Sequence, residues 1–373
     1  MIYLDNAATT KPSESAIEMA EKFNKEYFFN PSALYEGGLF CAKEIKRTKE
    51  LILKNIGSVS HEVIFTSCGS ESDNMAIFCA VKRGNVATSL GEHAAVYNSF
   101  LELKQRQRQV FFAKLNNNGS VNVDDLIKIV KENAIDFVSV VHVNNETGAI
   151  NDINFIAKEL KKINPKLIFH SDGVQAFGKI PYRISNEIDL YSISAHKINA
   201  LKGLGVLLKN KSVRISPLIY GGGQENNLRS GTENVFGIKV FEYAMQEKYA
   251  LINENFEKIK KYNLWARNNL DKDIFTIISS NNCSPYVLSV SAVGVKGEII
   301  MHMLEKEGVI IGNGSACSSK HKHSRVLKEC GFADKVLDGA IRISFSCDTT
   351  FEEVEFAINK LNENAKKLKG IIN

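Results

Sequence analysis

Several stretches combine residue types that could do chemistry. In Leu190-Tyr-Ser-Ile-Ser-Ala-His-Lys197, a run of strand character leads into Ser194, His196 and Lys197. A lysine where a buried strand meets a loop is costly unless it is paired or used covalently. Desolvation lowers an amine's pKa, and a neutral amine attacks aldehydes, so Schiff-base chemistry suits Lys197. The plain alternative is a lysine snorkelling from a strand end. Asp172 closes another strand and could hold a protonated ring nitrogen, or it could cap a helix. Gln175 follows and could donate to an oxygen of the same ligand. His93 opens a helix, where it could stack on a flat ring or serve as a cap. Asn145 ends a further strand and could donate to a bound oxygen.

Anion chemistry recurs. Ser67-Cys-Gly-Ser-Glu71 joins a strand to a helix, and its amides with the Ser70 hydroxyl could hold a phosphate. The GxxxxGK[ST] pattern is absent, so no nucleotide P-loop is expected. Gly221-Gly-Gly-Gln-Glu225 runs to Arg229-Ser-Gly-Thr232, with Thr232 expected at a helix start. Three glycines let the backbone approach a ligand or turn sharply. Arg342 is a charge inside an apolar strand and needs an anion, for which a substrate carboxylate is suited. Cys317 sits in Gly312-Asn-Gly-Ser-Ala-Cys-Ser-Ser-Lys-His-Lys-His323. A thiol beside Lys and His in a Gly/Ser-rich loop is placed to be reactive. An incidental thiol, or a metal site with His321 and His323, is the alternative. No fourth metal ligand is evident.

The elements that must position these groups alternate. Strands are expected at 62–67, 86–89, 110–115, 137–143, 167–172, 190–194 and 205–208. Helices are expected at 71–82, 93–105, 123–132 and 152–163. A capping box from Ser70 to Asp73 would open the first of these helices. Earlier helices span about 12–28 and 36–56, and one long helix runs from Thr232 to about Leu270. This alternation implies a mainly parallel sheet covered on both faces, with ligands at the strands' carboxyl ends. The tail changes character. Strands at 286–292, 309–311 and 341–346 with helices at 297–307, 324–330 and after Thr350 read as a smaller α+β domain. The division expected is 16–255 for the large domain, and 1–15 plus 256–373 for the small one.

Length and composition narrow the class. The 373 residues are long for one core. The net charge of +5 comes without a basic arm or a basic stretch interleaved with aromatics, so no nucleic-acid partner is expected. No run of about 18 apolar residues exists and the first residues lack a signal-peptide layout, so no membrane role is expected. The seven cysteines are scattered without CxxC spacing. Neither a disulfide framework nor a metal site is expected, and a reducing cytoplasm fits.

Taken together, a lysine for an aldehyde, a phosphate cradle, an acid for a pyridine nitrogen, a stacking histidine and a carboxylate-binding arginine suit pyridoxal phosphate. The chain resembles the cysteine desulfurases, fold type I pyridoxal-phosphate enzymes of the class V aminotransferase family. The resemblance runs from Tyr3-Leu-Asp-Asn-Ala-Ala-Thr-Thr10 to the final helix. Its most specific motifs are Ser194-Ala-His-Lys197, Gly221-Gly-Gly-Gln224, Arg229-Ser-Gly-Thr232 and Gly314-Ser-Ala-Cys317.

The resemblance implies that Lys197 forms the Schiff base, Asp172 holds the pyridine nitrogen and Gln175 contacts the ring oxygen. It makes His93 the ring-stacking residue that assists proton transfer. It gives the phosphate to Gly69, Ser70, Ser194 and His196, joined by Thr232 from the second subunit of a homodimer. Asn145 and Arg342 would orient the substrate, L-cysteine. Cys317 would take the sulfur as a persulfide and pass it to a scaffold or carrier protein. Alternatives are a selenocysteine lyase, another class V lyase or aminotransferase, and a non-catalytic sulfur-relay scaffold. Departures from the family pattern include Cys68 in place of glycine, Ile198-Asn-Ala-Leu-Lys202 after the lysine, and Ser346-Cys347-Asp348 after Arg342.

Overall fold

The computed structural model describes residues 1–81, 83–313 and 323–372. In chain order it begins with β1 (Ile2–Leu4), α1 (Glu14–Glu26), α2 (Glu36–Ile56), β2 (His61–Thr66), α3 (Gly69–Ala80) and β3 (Asn85–Ser89). There follow α4 (Ala94–Gln105), β4 (Val110–Ala113), α5 (Val123–Glu132), β5 (Ile135–Ser139), α6 (Ile153–Ile163), β6 (Ile168–Asp172), β7 (Leu190–Ser194) and β8 (Gly205–Asn210). The rest comprises α7 (Gln224–Asn227), α8 (Val235–Ala250), α9 (Ile252–Asn269), β9 (Phe275–Ile277), β10 (Val287–Ala292), α10 (Gly297–Lys306), β11 (Val309–Asn313), α11 (Arg325–Glu329), α12 (Asp334–Asp338), β12 (Ala340–Ser344) and α13 (Phe351–Ile372).

The larger sheet has the order β2-β8-β7-β6-β5-β3-β4. Its neighbours pair in parallel except β8, which is antiparallel to both β2 and β7. β2, β7, β6, β5 and β3 therefore end on one edge, where Thr66, Ser194, Asp172, Ser139 and Ser89 lie. The strands are apolar on both faces because helices cover both, and one core joins Ala16, Ile52, Phe169, Ile193 and Phe241. The second sheet, β1-β11-β12-β10-β9, is mixed, with β1 parallel to β11 and the rest antiparallel. Its core includes Leu4, Ile259, Val290 and Ile341.

Several boundaries differ from the sequence expectation. The α3 helix starts at Gly69, and its cap is Cys68, whose Sγ accepts from the Glu71 amide at 3.4 Å. Ser70 lies inside the first turn instead. The β5 ladder ends at Ser139, although the Val140 and His142 amides still donate to the carbonyls of His170 and Asp172. The expected helix from Thr232 to Leu270 breaks at Leu251 and opens at the Asn234 cap, two residues after Thr232. No glycine or proline marks that break, so periodicity runs through it. The last helix has its capping box: Thr350 Oγ1 accepts from the Glu353 amide and the Glu353 carboxylate accepts from Thr350.

Candidate active site

The site forms where the carboxyl ends of the parallel strands meet the chain's first residues. Asp172 ends β6 and is buried, its Oδ1 accepting from the Val174 amide at 2.9 Å. His93 caps α4 through Nδ1, which accepts from the Ala95 amide at 3.2 Å. Ligand atoms of Asp73, His93 and Asp172 all lie within 4.8 Å of one another. Burial pushes the carboxyls of Asp172 and Asp73 up and holds the His93 imidazole down. His93 and Lys197 oppose the rise at Asp172, whereas Asp172 itself adds to the rise at Asp73.

Lys197 closes the turn after β7, and its Nζ donates to the carbonyls of Ala7 and Ala8, each at 2.7 Å. Gln175 donates to the same Ala7 carbonyl at 2.7 Å and accepts from Lys179 Nζ at 2.8 Å. Burial, reinforced by the Lys197 charge, brings Lys179 down to about 7. His196 Nδ1 lies 3.0 Å from Thr9 Oγ1, and burial takes its imidazole down to about 4. The Asp5–Thr10 motif is thus stitched to the lysine turn, a link also made by the Thr10 hydroxyl to the His196 carbonyl at 2.8 Å.

The expected phosphate cradle lies at the start of α3. A Cβ on Gly69 would stand 3.0 Å from Val174 Cγ2 and 3.2 Å from Ser194 Cβ, so any larger residue would require these neighbours to give by a few tenths of an ångström. Ser194 is buried and Ser70 is exposed. In the first turn the Glu71 and Ser72 amides are taken by Cys68, and those of Gly69 and Ser70 have no acceptor among the described residues. Arg229 Nε donates to Glu71 at 2.9 Å, tying the glycine-rich segment to this turn. Thr232 is exposed on that segment.

Arg342, in β12, already has an anion. Its Nη2 donates to Asp5 Oδ1 at 2.7 Å and its Nη1 to the Asn145 carbonyl at 3.0 Å. Asn145 therefore meets Arg342 through its backbone. Arg342 Nε is buried without a partner among the described residues. Gly314, Cys317 and His321 lie outside the described residues. His323 Nε2 is 2.8 Å from Asp338. Sequence reasoning missed Asp5, Asp73 and Lys179 as members of the site. Asp73 carries a signal in the sequence, a charge next to the apolar Met75–Ala80 half of its helix, which a capping box also explains.

A buried carboxyl beside an imidazole, a lysine within the same cluster, and an open helix terminus match what a phosphorylated pyridine aldehyde needs. Asp73 Oδ1 is buried without a hydrogen-bond partner among the described residues, with His170 Nε2 3.6 Å away. The model of the class V aminotransferases matches residues 2–356 of the chain. The chain belongs to the class V aminotransferase family. Membership implies pyridoxal phosphate. Among relatives of this class V chain is the cysteine desulfurase IscS of Dictyoglomus turgidum, 36% identical, covering 99% of this chain and 96% of that protein. A cysteine desulfurase of Nostoc is 32% identical, covering 100% and 94%. The solved NifS-like protein of Rickettsia africae superposes with a TM-score of 0.90 at 29% identity, covering 98% and 99%. Among the described residues of this class V chain, no helix is long and apolar enough to cross a membrane.

Proposed function

We propose that the chain is a cysteine desulfurase that converts L-cysteine to L-alanine and takes the sulfur onto Cys317. The observation that carries the reading is the gathering of Lys197, His93 and Asp172 at one sheet edge, in a chain similar over its whole length to cysteine desulfurases. When bound, pyridoxal phosphate supplies an aldehyde and a ring that withdraws electrons from the substrate's α-carbon.

This chain's residues do the rest. Asp172 would hold the ring nitrogen, and a cation there would offset the desolvation that raises its carboxyl. The Gly69 and Ser70 amides, with Ser194 and His196, hold the phosphate, and Thr232 reaches it from the second subunit of a homodimer. Gln175 would contact the ring oxygen of the bound cofactor, and His93 would stack on the ring. Lys197 Nζ would hold the cofactor and, once the substrate amine replaces it, would take the substrate's α-proton. Arg342 and Asn145 orient the substrate carboxylate. The Cys317 thiolate attacks the substrate sulfur. An S–S bond forms as the C–S bond breaks, and the carbon is protonated to alanine.

We also divide the chain into 16–255 and 1–15 plus 256–373. Support comes from β1, which pairs with β11 and packs Leu4 into the second core. A reducing cytoplasm and a scaffold or carrier protein as sulfur acceptor complete the reading.

The test uses cofactor-loaded protein given L-cysteine and a reductant. Matched alanine and sulfide are expected. Cys317→Ala should keep the cofactor and lose the persulfide. Full-rate turnover by that variant would overturn the role of Cys317, and pyruvate-type products would overturn desulfuration.

A further inference from the structure

The loop after β12 departs from the family pattern at Cys347, and the structure gives that cysteine a partner. Lys248, on the inward side of α8, points its Nζ at Cys347 Sγ from 2.6 Å. This is shorter than the ~2.9 Å usual for N–H···O, although sulfur is the larger atom. The Lys248 side chain is buried, and the nearest carboxylate, that of the exposed Asp348, stands 3.6 Å away. Both side chains line a cavity of about 20 Å³ that also touches Lys197, Lys179 and Asn199. Such a cavity is large enough for a water-sized molecule. Burial pushes the Cys347 thiol up, and the Lys248 ammonium opposes that rise.

We propose that Lys248 and Cys347 form a redox-modification site, in which a small hydroperoxide joins them through one bridging oxygen. An amine and a thiol held this close, beside a cavity that holds a water-sized molecule, satisfy the geometry for an N–O–S link. The first peroxide oxidises the thiol: an S–O bond forms, the O–O bond breaks and water leaves, giving the sulfenic acid. The second oxidises the amine to the hydroxylamine and is likewise reduced to water. Condensation of the two forms the N–O–S bridge and expels a third water. Two dithiols reverse it, returning amine and thiol, releasing one water and leaving two disulfides.

The bridge would tie α8 to the Ser346–Thr349 loop. That loop also reaches the lysine turn, because Asn199 Nδ2 donates to Asp348 at 2.8 Å. The site thus gives a covalent, reversible clamp next to Lys197 that does not consume Cys317.

The experiment treats the full, cofactor-loaded chain with hydrogen peroxide and digests it without reductant. The expected product is one linked peptide pair joining Lys248 to Cys347. It should be heavier than the two reduced peptides by one oxygen and lighter by two hydrogens. Protease cleavage after Lys248 should be lost, and dithiothreitol should restore it. Lys248→Arg and Cys347→Ser should each lack the pair. Cys347 recovered as a thiol, or as sulfinic or sulfonic acid with Lys248 free, would overturn the proposal. So would a linked pair without the oxygen. The wild-type peptide masses decide the matter even if a variant folds poorly, and they do not depend on turnover.

Discussion

Replacing Glu92 with glutamine should remove a pH-dependent loss of stability. Glu92 is buried between His93 and β5's continuation, with Oε1 accepting from Ser89 Oγ at 2.6 Å and from the Val141 amide at 2.9 Å. Its Oε2 has no partner among the described residues. Burial, the dominant cause, pushes the carboxyl from an ordinary 4.5 to about 8. The fold therefore favours the neutral acid. The stability this gives is fully present below the unfolded pKa and is lost as pH rises through the folded one. At about 1.36 kcal/mol per pH unit, the whole loss is about 5 kcal/mol. Between about pH 5.5 and about pH 7.5 it is on the order of 2 kcal/mol. Glutamine keeps the Oε1 acceptor and does not titrate. Urea unfolding of both proteins across that range should show wild type losing on the order of 2 kcal/mol relative to Glu92→Gln. A difference constant within about 0.5 kcal/mol would refute the reasoning.

Three further outcomes are expected. Arg342→Lys keeps a cation for Asp5 but loses the planar fork. One lost charge-assisted hydrogen bond of about 2 kcal/mol predicts a roughly 30-fold fall in kcat/KM for L-cysteine, mostly in KM, and an unchanged KM would contradict it. His93→Asn should retain the α4 cap and its stability while desulfuration collapses, and His93→Ala should lose about 1 kcal/mol as well; equal stability of the two would show that the cap is idle. Gly69→Val places a branched Cβ against Val174 and Ser194, so the affinity for pyridoxal phosphate, read by absorbance titration, should fall at least about tenfold. Unchanged affinity would remove the α3 terminus from the phosphate site.

Much of the frame was legible without coordinates. Lys197 and Asp172 stand where short strand-like runs give way to polar residues, and such transitions are local. The α2 and α5 helices run over the expected 36–56 and 123–132, with Gly57 left-handed after α2. The alternating order of strands and helices required a mainly parallel sheet, and its carboxyl edge was the place to look for a ligand.

Other features needed the folded chain. That Arg342 meets Asp5 depends on β1 lying in the second sheet beside β11, so residues far apart in sequence become neighbours. The antiparallel course of β8 depends on how the chain returns between β2 and β7. Cys68 caps α3 because the turn brings its sulfur to the Glu71 amide, a role that residue type alone does not announce. The shifts at Asp73, Glu92 and Asp172 arise from desolvation by whatever packs around them, and the Lys248–Cys347 contact from the meeting of α8 with a distant loop. Periodicity and capping act within a few residues and can be read in order. Burial and charge proximity are sums over neighbours that only the tertiary structure assembles.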